Sequence, residues 1–148
     1  MAADRPRRDR NPRRPAELSD ADYRRLLEFR DGLRRFLHWS EEQAKAVGLT
    51  ASQHQLLLAI RGHDDPRGPT IGDVAGHLLL RHHSAVELVD RAQAAGLVTR
   101  EPDPDDHRVV RLRLTRDGAA RLAALSALHV EELRRLAPRL QPIWADLS

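Results

Sequence analysis

The segment Gly96 to Leu114 departs from helical spacing in a chain that otherwise follows it. Leu97-Val98-Thr99-Arg100-Glu101 leads into a turn-rich run, Pro102-Asp103-Pro104-Asp105-Asp106-His107, and Arg108-Val109-Val110-Arg111-Leu112-Arg113-Leu114 follows. In the second run Val110, Leu112 and Leu114 alternate with Arg111 and Arg113, the period of a half-buried strand. Two strands around one Pro/Asp turn make a hairpin, and an isolated hairpin is stable only when it packs on something else. The chain is therefore expected to be mainly α-helical with one small β-hairpin.

The helices announce themselves by their starts. Ser19 with Asp22 three residues later reads as a helix cap, and Leu18 and Tyr23 are placed to staple it. A long helix to about Ala46 follows, with Leu26, Phe29, Leu33, Phe36 and Leu37 on one stripe. Thr50-Ala51-Ser52-Gln53 repeats the signal ahead of Leu56 to Ile60, and Thr70-Ile71-Gly72-Asp73 heads a short helix carrying Val74, Ala75 and Leu78. Between them GHDDPRGP is a loop. From Arg81 to Ala95, Ala85, Leu88, Val89 and Ala92 share a face, and Gly96 stands where a left-handed terminator belongs, with Leu97 packing back. Thr115 caps a helix whose apolar positions run to Pro138, and a last short helix places Leu140, Ile143, Trp144 and Leu147 on one face.

Charge is unevenly spread. Residues 1–16 hold six arginines against Asp4 and Asp9, a net of +4 in a chain whose total is +3, so the rest is near −1. Three prolines and almost nothing to bury make residues 1–17 a disordered Arg/Pro-rich arm, and residues 18–148 the folded domain. A basic surface must then be a local patch. The chain has no cysteine, which excludes disulfides, thiolate metal sites and thiol redox sensing. No apolar run approaches the roughly 18–20 residues of a membrane span, and no signal-type stretch follows Arg7-Arg8, so a cytoplasmic protein without membrane contact is expected.

Catalysis finds no support in the motifs. The eight histidines include no HExxH or comparable ligand spacing, and there is neither a phosphate-cradling glycine loop nor a nucleophile motif. His63-Asp64-Asp65 reads either as a loop ligand group or as a solvated loop. A non-enzyme with no cofactor and no metal is expected.

Helix, helix, helix, hairpin over about residues 51–114 is the element order of a winged helix-turn-helix, flanked by helices at about 19–46 and 116–147. With the core face at 85, 88, 89 and 92, the first turn of the third helix carries Arg81, His82 and His83 where free N–H groups and the helix dipole favour a phosphate. Histidine can donate to guanine, Val86 can meet a thymine methyl, and Glu87 can accept from cytosine. The same pattern is also what a polar face of any surface helix looks like. Arg100, His107 and Arg108 cluster on the hairpin, where a narrow minor groove attracts arginine; Asp103, Asp105 and Asp106 oppose that attraction unless they orient one.

These residues resemble a known family. LVDRAQAAGLVTREPDPDDHRVVRLRLTRDG, residues 88–118, is similar to the recognition-helix end, wing and following helix start of MarR-type transcriptional regulators, through Leu88-Val89-Asp90-Arg91, Ala95-Gly96-Leu97-Val98, Asp106-x-Arg108 and Leu114-Thr115 with Gly118. Gly48-Leu49-Thr50-x-x-Gln53 and the helix at Thr70 extend the likeness over about residues 19–147.

The resemblance implies a winged helix-turn-helix lobe plus a helical dimerisation region from both termini, and a homodimer that binds a pseudo-palindromic double-stranded DNA operator. It places Arg81, His82, His83, Ser84, Val86 and Glu87 toward the major groove, and Arg100, Asp106, His107 and Arg108 on the DNA-binding wing, with Asp106 bracing Arg108. The family pattern more often has arginine, serine and threonine where this chain has His82, His83, Ser84 and Val86, and a basic or polar residue at Glu87. It further implies a repressor released by a small-molecule effector, often phenolic or anionic, with Phe36, His38, Trp39, His54 and Leu57 as the expected pocket. Two alternatives stay open: a winged-helix protein-interaction module that has lost DNA binding, and a pH-responsive regulator working through His82 and His83, since histidine titrates near neutrality. The basic arm is either a solvated tail or a source of extra phosphate contacts.

Overall fold

The computed structural model describes residues 17–145; the expected arm before Glu17, and Leu147, lie outside the described residues. Five helices and two strands follow in the order α1 (Asp20–Ala46), α2 (Ala51–Gly62), α3 (Ile71–Leu78), α4 (His82–Ala94), β1 (Val98–Pro102), β2 (Val110–Leu114) and α5 (Arg116–Ala145). β1 and β2 pair antiparallel, with Val98 opposite Leu114, Arg100 opposite Leu112 and Pro102 opposite Val110.

The three capping boxes form as their spacing dictates. Ser19, Thr50 and Thr70 each accept the backbone N–H three residues on, and Asp22, Gln53 and Asp73 reach back to the cap N–H at 2.8, 3.0 and 2.9 Å. Leu18 and Tyr23, expected to staple α1, are both exposed. Helix ends are equally local. At α4, the Leu97 N–H returns to the Ala92 carbonyl and the Gly96 N–H to Gln93, with Gly96 at φ +73°. α1 ends the same way through Gly48 at φ +76°, and α3 through Leu79 at φ +53°.

One core joins the winged lobe. Leu56 and Leu57 from α2, Val74 from α3, Leu88 and Val89 from α4, Leu97 and Val98 at β1, Leu112 from β2 and Leu125 from α5 are buried together. Gly118 lets α5 enter this core: a Cβ there would sit 2.2 Å from the Leu97 carbonyl oxygen, closer than any side chain tolerates. Thr115 fixes the entry, its hydroxyl donating to Gly96 O at 2.6 Å and accepting the Gly118 N–H at 3.0 Å.

The C-terminal region departs from expectation. α5 runs unbroken through Pro138 and Pro142 rather than stopping at the first. Each proline removes one intrahelical bond, freeing the carbonyls of Arg134 and Pro138. Pro138 and Pro142 are four apart and both exposed, so those carbonyls lie on the side where water can serve them, while Ile143 is buried against α1 on the other.

Candidate nucleic-acid interface and effector cavity

α4 presents the surface that the sequence marked. Ala85, Leu88, Val89 and Ala92 face the core, which leaves Arg81, His82, His83 and Glu87 exposed and Ser84 and Val86 half-buried. Among the described residues, α4 differs from the other helices at its start. α1, α2 and α3 are capped by hydroxyls in boxes and α5 by Thr115, but Arg81 caps α4 with backbone alone. Its first-turn N–H groups and the positive end of the helix dipole are thus presented outward beside a cationic side chain.

The wing is built around an aspartate. Asp103 is 1% exposed, and its carboxylate accepts Arg111 Nε at 2.7 Å and the backbone N–H groups of Asp105 and Asp106 at 2.9 and 3.1 Å. The Arg111 guanidinium, with those N–H groups, lowers the Asp103 pKa to about 2. Arg111 also donates to the Gly68 carbonyl at 3.2 Å, and the Leu112 N–H bonds Pro69 O at 2.8 Å, which pins the α2–α3 loop to the hairpin. Arg67 completes the knot, held by Asp65 at 2.8 Å and within 3.5 Å of Asp103.

From that fixed base Arg108 projects. Asp106 accepts its backbone N–H at 3.1 Å, Nε at 3.0 Å and Nη2 at 3.0 Å, so the carboxylate grips the guanidinium through two parallel bonds. The Arg108 side chain is nevertheless 89% exposed. Its guanidinium pulls the Asp106 carboxyl below the ordinary carboxylate range, which keeps the brace charged. His107 is exposed beside it.

Arg100, expected on the DNA-binding wing, is engaged within the lobe. Its guanidinium turns back onto α4, bonding Asp90 at 2.5 Å and Gln93. Arg100 therefore ties β1 to α4 rather than extending outward with Arg108. The spacing of Asp90 and Gln93 on successive turns of α4 is the signal that could have shown this.

A cavity of about 740 Å³ opens between α1, α2 and α5. Phe36 and His54 line it as expected. Trp39 does not, but its ring lies 4.9 Å from His129, which does. Two expected members are displaced. Leu57 is fully buried in the lobe core, and its neighbour Leu58, about 100° round the helix, takes the wall position. His38 is exposed and pairs with Glu42 at 3.4 Å on the outer face of α1. The residues the sequence did not single out are Ser40 on α1 and His129 on α5, whose Oγ and Nε2 meet at 2.6 Å across a separation of 89 positions. His129 stands at the centre of a ring cluster, 4.8 Å from His54 and edge-on to Phe36 at 5.9 Å.

Comparison with known proteins agrees with this architecture. The model of the MarR family matches residues 47–109. The HTH-type transcriptional regulator YsmB of Bacillus subtilis (strain 168), itself uncharacterized, is 37% identical over 65 residues, 44% of this chain and 44% of that protein; the chain thus matches less than half the length of this curated relative. Among solved structures, a mutant MarR from E. coli complexed with operator DNA is 26% identical with a TM-score of 0.62, covering 78% of this chain and 80% of that one. AbsC, a MarR family transcriptional regulator from Streptomyces coelicolor, superposes with a TM-score of 0.66 at 22% identity, over 88% and 96% of the two chains. The MarR family transcription regulator SP03579 gives a TM-score of 0.69 at 24% identity, over 80% of this chain and 77% of that chain.

Proposed function

We propose that the chain is a MarR-type regulator, a reading supported by the family match over residues 47–109 and by the winged-helix fold, and that it acts as a homodimeric, sequence-specific DNA-binding repressor released by a small molecule. The observation that carries the proposal is the uncapped, exposed first turn of α4 combined with a wing whose Arg108 is held extended by Asp106. An open helix N-terminus binds phosphate, and an arginine at a wing tip suits a narrow minor groove. Binding rather than catalysis is the activity assigned, with Arg81, His82, His83 and Glu87 reading bases or phosphates.

Dimerisation is supported by the flanking helices. Along the 27 residues of α1 only Ala44 is fully buried, while Leu26, Leu27, Leu33 and Leu37, with Leu128, Val130 and Leu133 of α5, expose large apolar surfaces. Such a stripe is stable in water when a second copy covers it. Two lobes then read half-sites about one helical turn, roughly 34 Å, apart. No helix among the described residues is long and apolar enough to cross a membrane, and a cytoplasmic location fits a DNA-binding role.

Fluorescence anisotropy on DNA fragments tiling the region around the coding sequence, with excess competitor DNA, tests the proposal. The expected result is one fragment that survives competition, with His83→Ala changing base preference at one position of each half-site by about 1 kcal/mol or more. Binding that ignores sequence, or a His83→Ala profile identical to the parent, overturns it.

A further inference from the structure

The junction of α2 and α3 brings together two histidines that the DNA-binding surface does not use. His63 closes the end of α2 and His77 lies in the last turn of α3, and Nδ1 of the first faces Nε2 of the second at 3.2 Å. The ring centroids are 5.5 Å apart, a separation that puts both nitrogens close to the line joining the rings. On the far side of the His63 ring, Nε2 faces the Asp73 carboxylate at 3.6 Å.

That carboxylate sets the tautomer. The contact is too long for a hydrogen bond, but its charge favours the form of His63 with the hydrogen on Nε2. Asp73 is held in place by the cap of α3: it accepts the Thr70 N–H at 2.9 Å, and its own N–H donates to the Thr70 hydroxyl at 3.1 Å. The lone pair of His63 is thereby left on Nδ1, aimed at His77. An imidazole with its outer N–H turned to a carboxylate and its lone pair turned inward is the arrangement that metal-binding histidines adopt.

The distances suit an ion. Zinc–nitrogen bonds are about 2.0–2.1 Å, so two ligands of a tetrahedral zinc lie about 3.3–3.4 Å apart. The observed 3.2 Å is close to that edge, and the nitrogens need hardly separate. Each ring turns by about 35° for the lone pairs to converge on a tetrahedral ion, and the His77 hydrogen moves from Nε2 to Nδ1, so no proton is gained or lost. His77 is exposed, which gives its ring room to turn and the ion a path in, while the His63 side chain is 16% exposed and fixes the site. Among the described residues no three histidine, aspartate or glutamate side chains are grouped to hold a metal, so water completes the coordination. Two imidazoles favour zinc, nickel or copper(II) over magnesium or calcium, which prefer oxygen.

We propose that His63 and His77 bind a first-row transition ion between Nδ1 and Nε2, with Asp73 orienting His63, and that the bound ion staples the end of α2 to α3. This gives a role to the His63-Asp64-Asp65 run, which the sequence left open between a loop ligand group and a solvated loop, and it departs from the expectation of no metal. It does not depend on what the winged lobe binds.

Calorimetric titration of the full chain with zinc chloride, in a non-chelating buffer at about pH 7.5, above the ordinary histidine range, tests it together with thermal unfolding. Micromolar binding and a zinc-dependent rise in Tm are expected, with no response to magnesium. His63→Gln and His77→Gln should each weaken zinc about tenfold or more and remove the rise in Tm. His38→Gln, which deletes an exposed histidine beside Glu42, should change neither. Long-range proton–nitrogen NMR of the parent should show zinc-induced shifts at Nδ1 of His63 and Nε2 of His77. Zinc binding that survives in either glutamine variant, shifts confined to other histidines, or no binding at millimolar zinc overturns the proposal. Should a variant not fold, the NMR assignment on the parent decides alone.

Discussion

Leu79→Gly should stabilise the protein. Three helices end in the same motif, in which the residue after the last turn adopts a left-handed conformation and two N–H groups return to the preceding turn. At α1 and α4 that residue is Gly48 or Gly96; at α3 it is Leu79, with φ +53° and ψ +40°. A side chain in that region costs about 1–2 kcal/mol, because Cβ crowds the following carbonyl. The leucine recovers nothing by burial, since it is 92% exposed. Replacing it by glycine removes the strain but adds freedom to the unfolded chain, which returns about 0.5–1 kcal/mol. The net expectation is a gain of about 0.5–1 kcal/mol, or a rise in Tm of about 2–4 °C for a domain of this size. Thermal unfolding followed by circular dichroism, at matched protein concentration so that dimerisation does not move the midpoint, measures it. An unchanged or lower Tm would refute the reasoning, because it would mean that the exposed side chain stabilises the turn by more than its backbone strain costs.

Two further substitutions probe how the lobe is assembled. Gly118→Ala puts a methyl 2.2 Å from Leu97 O, a backbone atom with nowhere to rotate, and although alanine improves helix propensity by about 1 kcal/mol the net loss should be about 2 kcal/mol, seen as a lower urea midpoint; an unchanged midpoint would show that α5 enters the core differently. Asp103→Asn should flatten acid unfolding: the folded pKa of about 2 lies below the ordinary carboxylate value, so Asp103 stabilises the fold above about pH 4 and loses that contribution as pH falls toward 2. Equal pH slopes for the two proteins between pH 4 and 2 would remove Asp103 from the account.

What was legible in the sequence was local or periodic. The boxes at Ser19, Thr50 and Thr70 and the stop at Gly96 involve residues within five positions of one another, so the chain spells them out. The core face of α4 follows from periodicity alone, and with it the outward placement of Arg81, His82 and His83. The strand alternation at Val110 to Leu114 marked the hairpin by the same logic.

Illegible features depended on which elements meet and in what phase. Pro138 reads as a helix stop unless one knows that Pro142 shares its exposed side and that Ile143 is held against α1. The tie from Arg100 to Asp90 and Gln93 depends on how α4 faces β1, which the sequence alone does not give. The three wing aspartates look alike in sequence, but Asp103 is buried under Arg111, Asp106 braces Arg108 and Asp105 is exposed, a division fixed by Arg111 and by the loop at Gly68. For the cavity, a phase shift of one residue exchanged Leu57 for Leu58, and the pairing of Ser40 with His129 needed the register of α1 against α5.

If the braced Arg108 and the open start of α4 form a DNA-binding surface, binding must respond to salt through Arg108. The most direct test is the salt dependence of binding to a specific DNA fragment, compared between the parent and Arg108→Ala. The variant is expected to bind more weakly on every fragment, with a slope of log affinity against log salt smaller by about 0.9 for each wing, or about 2 for a dimer, because each lost arginine leaves one phosphate's counterions in place. A variant with the parent's affinity and slope would contradict this expectation, and would place the contact with DNA, or with another partner, elsewhere on the lobe.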